Sequence, residues 1–465
     1  MQAEASLAVI LVVMLLADLI IREPGHRKLQ ILGCILMAVQ LALNVVPAEG
    51  EAFGGMYRST ELASVVKTVL AAGTLLVFMQ AGEWLGREDT RGKAGEFYLL
   101  TLSTLLGMFL MVSAGSFMLF YIGLELASIP MACLVAFDKY RHHSAEAGAK
   151  FILSSMFSSA LMLYGLSLLY GTCGTMYFAD MPALLAGTPL QVMAMVFFFA
   201  GLGFKVSLVP FHMWTPDVYQ GAPTAVAGYL SVISKGAAAF AMAAVLLKVF
   251  GGMVHDWSLL LSVVTVLTIT VGNVFAVLQT DLKRFMAYSS ISQAGYIVLG
   301  ALAGSGQGMA SLVYYVIIYV AANLAVFGII GTVEQHTGGK TGRSAYAGLY
   351  QTNPRLAFGM TLALFSLAGI PPFAGFFSKF FVFAAAFYAG HWLVVFLALV
   401  NTIISLYYYL LVVKAMYITP NDNPIPTFKS GVMERAGLTI CLAGVVFIGL
   451  LSCVYQYLTD TALLS

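Results

Sequence analysis

Residues 201–212 read GLGFKVSLVPFH, an apolar run with Lys205 near its middle and Pro210 five residues further on. A helix surrounded by lipid has no use for either residue unless the chain puts it to work. An ionisable side chain at a helix centre costs about 2.5–3.5 kcal/mol on insertion scales. A proline removes one backbone donor and clashes one turn back, freeing carbonyls that then need water or side chains. The stretch LAGIPPFAGFFSK (367–379) repeats the combination, with a Pro-Pro pair whose first member lies eight residues before Lys379.

The surrounding composition places both stretches in a membrane. Of 465 residues, 60% are hydrophobic and 9% charged, with a mean hydropathy of +0.90. A soluble domain carries about 25% charge, and this chain lacks the polar surface to cover a globule of 49.8 kDa. A net charge of +2 leaves no electrostatic footprint for nucleic acid. Cys34, Cys133, Cys173, Cys441 and Cys453 lie far apart with no CxxC. That excludes a disulfide framework, a zinc ribbon and a cysteine-ligated iron–sulfur cluster. The first apolar run, Leu7 to Ile21, has no basic residue before it and three just after it, so it reads as a retained helix rather than a secretory signal.

Apolar runs of about 20 residues between polar punctuation give about fourteen spans. They lie near 5–21, 30–48, 62–84, 97–113, 115–137, 147–171, 190–214, 223–250, 257–279, 284–303, 308–334, 356–386, 389–418 and 433–457. β-barrel alternation is absent, so the expected fold is an all-α polytopic bundle. Of the 23 basic residues, seventeen fall in or beside loops that follow odd-numbered spans, from Arg22, Arg27 and Lys28 to Lys414, Lys429 and Arg435. Arg58, Lys67 and Lys248 lie toward the other side. The positive-inside rule then puts the odd loops in the cytoplasm and both termini outside, in the periplasm of a bacterial inner membrane.

Lys205, Lys235 and Lys379 remain, each inside an apolar run, and Glu125 in YIGLELASIPM (121–131) is the acidic residue expected to be comparably deep. Four such groups would cost on the order of 10 kcal/mol before any pairing. Desolvation lowers a lysine pKa from about 10.4 by up to about 3–5 units, into a range where it exchanges protons at neutral pH. Arginine effectively never deprotonates, so lysine suits a relay. Glu125, Lys205, Lys235 and Lys379 are therefore expected to pass protons by successive charge repulsion, with opening of a Glu125–Lys205 ion pair as the switch. His212, at the first break, is a further relay candidate. The breaks fall in the seventh and twelfth spans, five helices apart. Because five is odd, a five-helix repeat must be inverted in the membrane. Lys235 is expected on an unbroken helix. The glycine patterns at 201–203 and 304–308 follow no soluble strand, and no redox cofactor site is readable.

GLGFKVSLVPFHMWTPDVYQGAPT (201–224), SVISKGAA (231–238), DLKRFMAYSSISQAGY (281–296) and LFSLAGIPPFAGFFSKFFVF (364–383) resemble the antiporter-like membrane subunits of respiratory complex I, and YIGLELASIPM is most similar to their subunit-N branch. The resemblance covers roughly residues 95–415. It implies that Glu125, Lys205, Lys235 and Lys379 form a proton channel, and it adds Glu146 in SAEAGAKF. It also implies inverted repeats at 95–251 (helices 4–8) and 252–418 (helices 9–13), after N-terminal helices in 1–94 and before a C-terminal helix in 419–465. NADH, FMN, iron–sulfur clusters and quinone would belong to partner subunits, with none in this chain. The implied partners are other antiporter-like subunits and the small K/J/A-type membrane subunits. A Mrp-type Na⁺/H⁺ antiporter subunit and a membrane-bound hydrogenase subunit share this ancestry and are the alternatives; a structural scaffold with vestigial charges is a third.

Overall fold

The computed structural model describes residues 1–21, 26–47, 49–421 and 423–464; Arg22 and Ser465 lie outside them. Inside lipid, backbone groups must be satisfied within each segment, so the apolar runs fold as helices. The N-terminal three are α1 (Gln2–Ile20), α2 (His26–Asn44) and α3 (Glu61–Gln80). Next come α4 (Ala94–Val112), α5 (Phe117–Val135), α6 (His142–Cys173), α7 (Pro189–Val206), the short α8 (Trp214–Gly221) and α9 (Thr224–Lys248). A further group comprises α10 (Val254–Val277), α11 (Leu282–Leu302), α12 (Gly306–His336), α13 (Pro354–Ala368), α14 (Ala374–Tyr388) and α15 (Trp392–Tyr417). The chain closes with α16 (Val432–Leu450) and α17 (Ser452–Leu464). Among the described residues, twelve helices are long and apolar enough to cross a membrane. Together with α2 and the split pair α13/α14, they account for the fourteen spans expected.

Five helix starts carry side-chain caps. Thr60, Ser116, Asp281 and Ser305 each accept a hydrogen bond from a first-turn amide, and Thr188 forms a capping box with Gln191 at α7. The loops rich in Lys and Arg gather at one end of the bundle, where Arg284 and Lys150 both meet Asp217 at 2.6 Å. The opposite end carries a hairpin, β1 (Gly50–Ala52) and β2 (Tyr57–Ser59), which no span accounted for.

Three other features depart from the sequence reading. The C-terminal segment is two helices rather than one. The span holding Lys235 is continuous but contains a π-helical turn at Leu230–Ser234, directly before the lysine, with no proline or other breaker to announce it. Finally, Glu125 is only half-buried, whereas Glu4 and Glu434 are 3% and 4% exposed. Glu4 meets the equally buried Lys67 at 2.6 Å, and Tyr57 of β2 donates to the same carboxylate at 2.9 Å. Lys67 looked like a span-end residue because nothing local reveals that α1, α3 and the hairpin bring Glu4 and Tyr57 to it.

Candidate functional site

The seventh span breaks because α7 ends on Ser207, held in the left-handed region at φ 69°, and the amide of Leu208 closes back onto the carbonyl of Gly203 at 2.7 Å. Lys205 lies in that last turn and is 5% exposed. Positive charge is favoured at a helix C-terminus, where unpaired carbonyls and the helix dipole present negative charge. The twelfth span breaks in the same way. Its first half, α13, ends on Gly369 at φ 86°, and the amide of Ile370 returns to the carbonyl of Phe365 at 3.0 Å. Here the cation comes from the second half-helix: Lys379 of α14 reaches back and donates to the carbonyl of Ala368 at 3.0 Å. The left-handed conformation of Gly369 favours glycine, and a Cβ there would stand 3.0 Å from Lys379 Cδ, a tight approach to that side chain.

Glu125 and Lys205 are both near the first break, but they make no direct ion pair. Ser159 donates to Glu125, while Lys205 donates to Ser128 at 2.7 Å, one helical turn along α5. Ser128 in turn donates to the carbonyl of Leu124 at 2.6 Å. The contact pair expected between them is not formed here: a hydroxyl, not the carboxylate, holds the lysine. Helix α5 is pressed onto α4 by facing glycines, since a Cβ on Gly107 would strike the amide of Ala127 and one on Gly123 the amide of Met111.

Lys235 is 1% exposed and donates to the Ser290 hydroxyl at 2.6 Å, with its ammonium 5.6 Å from the centre of the Tyr219 ring. Ser290 lies on α11, which is almost wholly buried, and that helix carries the polar groups between Lys235 and Lys379. Beside Ser290, Ser289 bonds Tyr409 at 2.5 Å. One turn on, Gln293 donates to Tyr409 at 3.2 Å and to the carbonyl of Leu367 at 3.1 Å, and it accepts from Tyr315. Leu367 adjoins Ala368, whose carbonyl Lys379 holds, and the Tyr296 ring centre is 4.8 Å from the Lys379 ammonium. The sequence reading quoted SSISQAGY only for its resemblance and gave it no role. Its polar positions 289, 293 and 296 share one helix face inside an apolar run, and that was the available signal.

His212 is buried just after the first break, and its Nδ1 has no partner among the described residues. Glu146 stands apart from the row. It is exposed at the basic end, 2.8 Å from Lys150 in a chain that continues through Asp217 to Arg284.

A bundle with buried lysines at two mid-span helix breaks is built as a membrane ion translocator. The chain belongs to the NADH:quinone oxidoreductase/Mrp antiporter membrane family, whose profile matches residues 114–405. An NADH-quinone oxidoreductase subunit N from Phocaeicola vulgatus is 64% identical over 464 residues, 100% of this chain and 98% of its own length. An NAD(P)H-quinone oxidoreductase subunit 2 from a Synechococcus species is 36% identical and covers 97% of this chain and 88% of its own. Among solved structures, a chain of respiratory complex I from Thermus thermophilus superposes with a TM-score of 0.82 at 32% identity, covering 97% of each chain. A chain of the Mrp complex from Dietzia sp. DQ12-45-1b gives 0.89 at 21% identity, over 99% of this chain and 96% of its own, which shows a common fold alone.

Proposed function

We propose that this chain is the subunit-N-type, proton-translocating membrane subunit of a complex-I-type NADH:quinone oxidoreductase. The observation that carries the mechanism is the run of hydrogen-bonding groups on α11 between Lys235 and Lys379. A proton enters at Lys205, whose affinity for it rises when Glu125 swings in and falls when the lysine is left with Ser128 alone. Charging Lys205 repels the proton on Lys235, which passes along α11 to Lys379 and leaves at the far side. The two broken spans belong to inverted repeats at 95–251 and 252–418. Both termini face the periplasm, and redox chemistry with NADH, FMN, iron–sulfur clusters and quinone occurs in partner subunits of the inner-membrane complex. The 64% identity to a subunit N favours this reading over a Mrp-type antiporter, which the backbone match alone does not distinguish.

The test is Glu125→Gln in the intact complex, reconstituted in sealed vesicles. Proton pumping falls severalfold while flavin- and cluster-bearing subunits still co-purify. Wild-type pumping coupled to quinone reduction would refute the role of Glu125, and co-purification with small antiporter subunits in place of redox subunits would refute the assignment to the complex.

A further inference from the structure

Two cavities open at the basic end of the bundle, and their charges differ. One, of 430 Å³, mixes signs, with Asp138, Glu146 and Asp217 beside Arg141, Lys150 and Lys283. The other, of 470 Å³, lies between the starts of α13 and α16 and holds Arg355, Lys429 and Arg435 with no carboxylate among its described lining residues. No carboxylate among the described residues lies within ion-pair distance of these three cations. Glu434, next to Arg435 in sequence, is turned away onto Thr332 of α12.

The wall of this second cavity is firmly built. Asn353 donates to the carbonyl of Pro426 at 3.2 Å and accepts from the amide of Phe428 at 3.3 Å. Thr427 donates to the carbonyl of Thr352 at 3.1 Å, and the Phe428 ring stacks on His336 with centres 4.0 Å apart. The loop carrying Lys429 is thereby tied to the head of α13. Ser430 also lines the cavity; it is 8% exposed and its hydroxyl makes no hydrogen bond to a described residue. Deeper along the same groove the lining changes to Leu356 and Gly359 of α13, Leu438 and Leu442 of α16, and Ile329 of α12.

We infer that this groove is a binding site for an anionic diacyl phospholipid, with its phosphate among Arg355, Lys429, Arg435 and Ser430 and an acyl chain along Leu356, Leu438 and Leu442. Charge complementarity selects an anion, and the change from cationic to apolar with depth selects a lipid over free phosphate. Basic pockets between membrane helices recognise anionic headgroups in this way, each cation adding to the attraction. The site is separate from the lysine row and does not depend on the proposed proton path.

The experiment uses the intact complex in phosphatidylcholine vesicles containing a photoactivatable phosphatidylglycerol. Labelled peptides are mapped, with unlabelled phosphatidylglycerol and inorganic phosphate as competitors. Label is expected within 354–359 and 435–442, competed by the lipid and not by millimolar phosphate. It should fall about fivefold for each cation removed, first in Lys429→Gln and further in Arg355→Gln/Lys429→Gln/Arg435→Gln. If the triple variant fails to assemble, Lys429→Gln alone decides, because it sits on an exposed loop. Undiminished labelling in that variant, displacement by inorganic phosphate, or cross-linking of the groove to a neighbouring polypeptide instead of lipid would each overturn the inference.

Discussion

The two broken spans solve one physical problem with the lysine on opposite sides of the break. Both first halves end mid-span on a left-handed residue with a backward hydrogen bond, and both leave helix-terminal carbonyls facing the interior. At the first break the cation grows from the terminating helix itself, and its one hydrogen bond goes to a hydroxyl of a different helix. At the second, the cation belongs to the following half-helix and holds a carbonyl of the preceding one. The difference shows how a buried lysine can be stabilised without a counter-ion: the negative end of a half-helix does so from within or across the gap. It also separates the two sites by rigidity. Lys379 stitches its break together, whereas Lys205 can leave Ser128 with no backbone group stranded.

The largest effects come from removing the two lysines. Lys205→Met and Lys379→Met should each lower proton pumping by about 10²-fold, the scale of a lost proton-transfer group. Only Lys379→Met should also lower thermal stability, by about 1–3 kcal/mol, because the buried Ala368 carbonyl loses its donor. Equal melting of the two variants would break the comparison. Next come the turn residues. Gly369→Ser should cost about 1–2 kcal/mol from its left-handed conformation and disturb Lys379, while Ser207→Gly should leave the melting midpoint unchanged or raised. Ser290→Ala should slow pumping about fivefold, corresponding to about 1 kcal/mol for a lost hydrogen bond, as measured in the same vesicles. Ser128→Ala should be at least as damaging, because Ser290 still offers Lys235 a backbone carbonyl at 3.3 Å.

The smallest effect concerns the anchoring of α8, for which α14 has no counterpart ion pair among the described residues. Burial pushes the Asp217 carboxyl up, but hydrogen bonds from Lys150 and Arg284 more than offset this and hold it below its ordinary value. A depressed carboxylate contributes stability that is present at neutral pH and lost as pH falls through its folded value. Asp217 is a third exposed, so Asp217→Asn should cost less than about 1 kcal/mol at pH 7, with no difference from wild type once acid has protonated the carboxylate. Thermal melts across the acid range check this.

Much of this could be read from the chain because lipid penalises charge and proline so heavily. Lys205, Lys235 and Lys379 announced themselves by cost alone, and Pro210 and the 371–372 pair marked the two breaks. What stayed hidden depends on packing between distant segments. Glu4 and Lys67 are buried against each other because α1, α3 and the hairpin converge, which no local pattern encodes. The π-turn before Lys235 contains ordinary helix-compatible residues, and the helices packed against it, α3 and α12, come from distant parts of the chain. Ser289, Ser290 and Gln293 were visible as polar residues in an apolar run, but their partners Tyr409, Tyr315 and Lys235 come from other helices. Glu125 lies near the first break, yet its separation from Lys205 by a hydroxyl is a property of rotamers that spacing does not determine.

The most direct test of the account falls on Lys235, which sits between the two breaks and pairs with no carboxylate among the described residues. Lys235→Arg and Lys235→Met should be compared for proton pumping in sealed vesicles, with assembly of the complex verified. Arginine keeps the charge but cannot release the proton, so a relay predicts that the arginine variant loses pumping as completely as the methionine variant. Pumping retained by Lys235→Arg would show that the lysine serves only as a fixed charge and would remove it from the path.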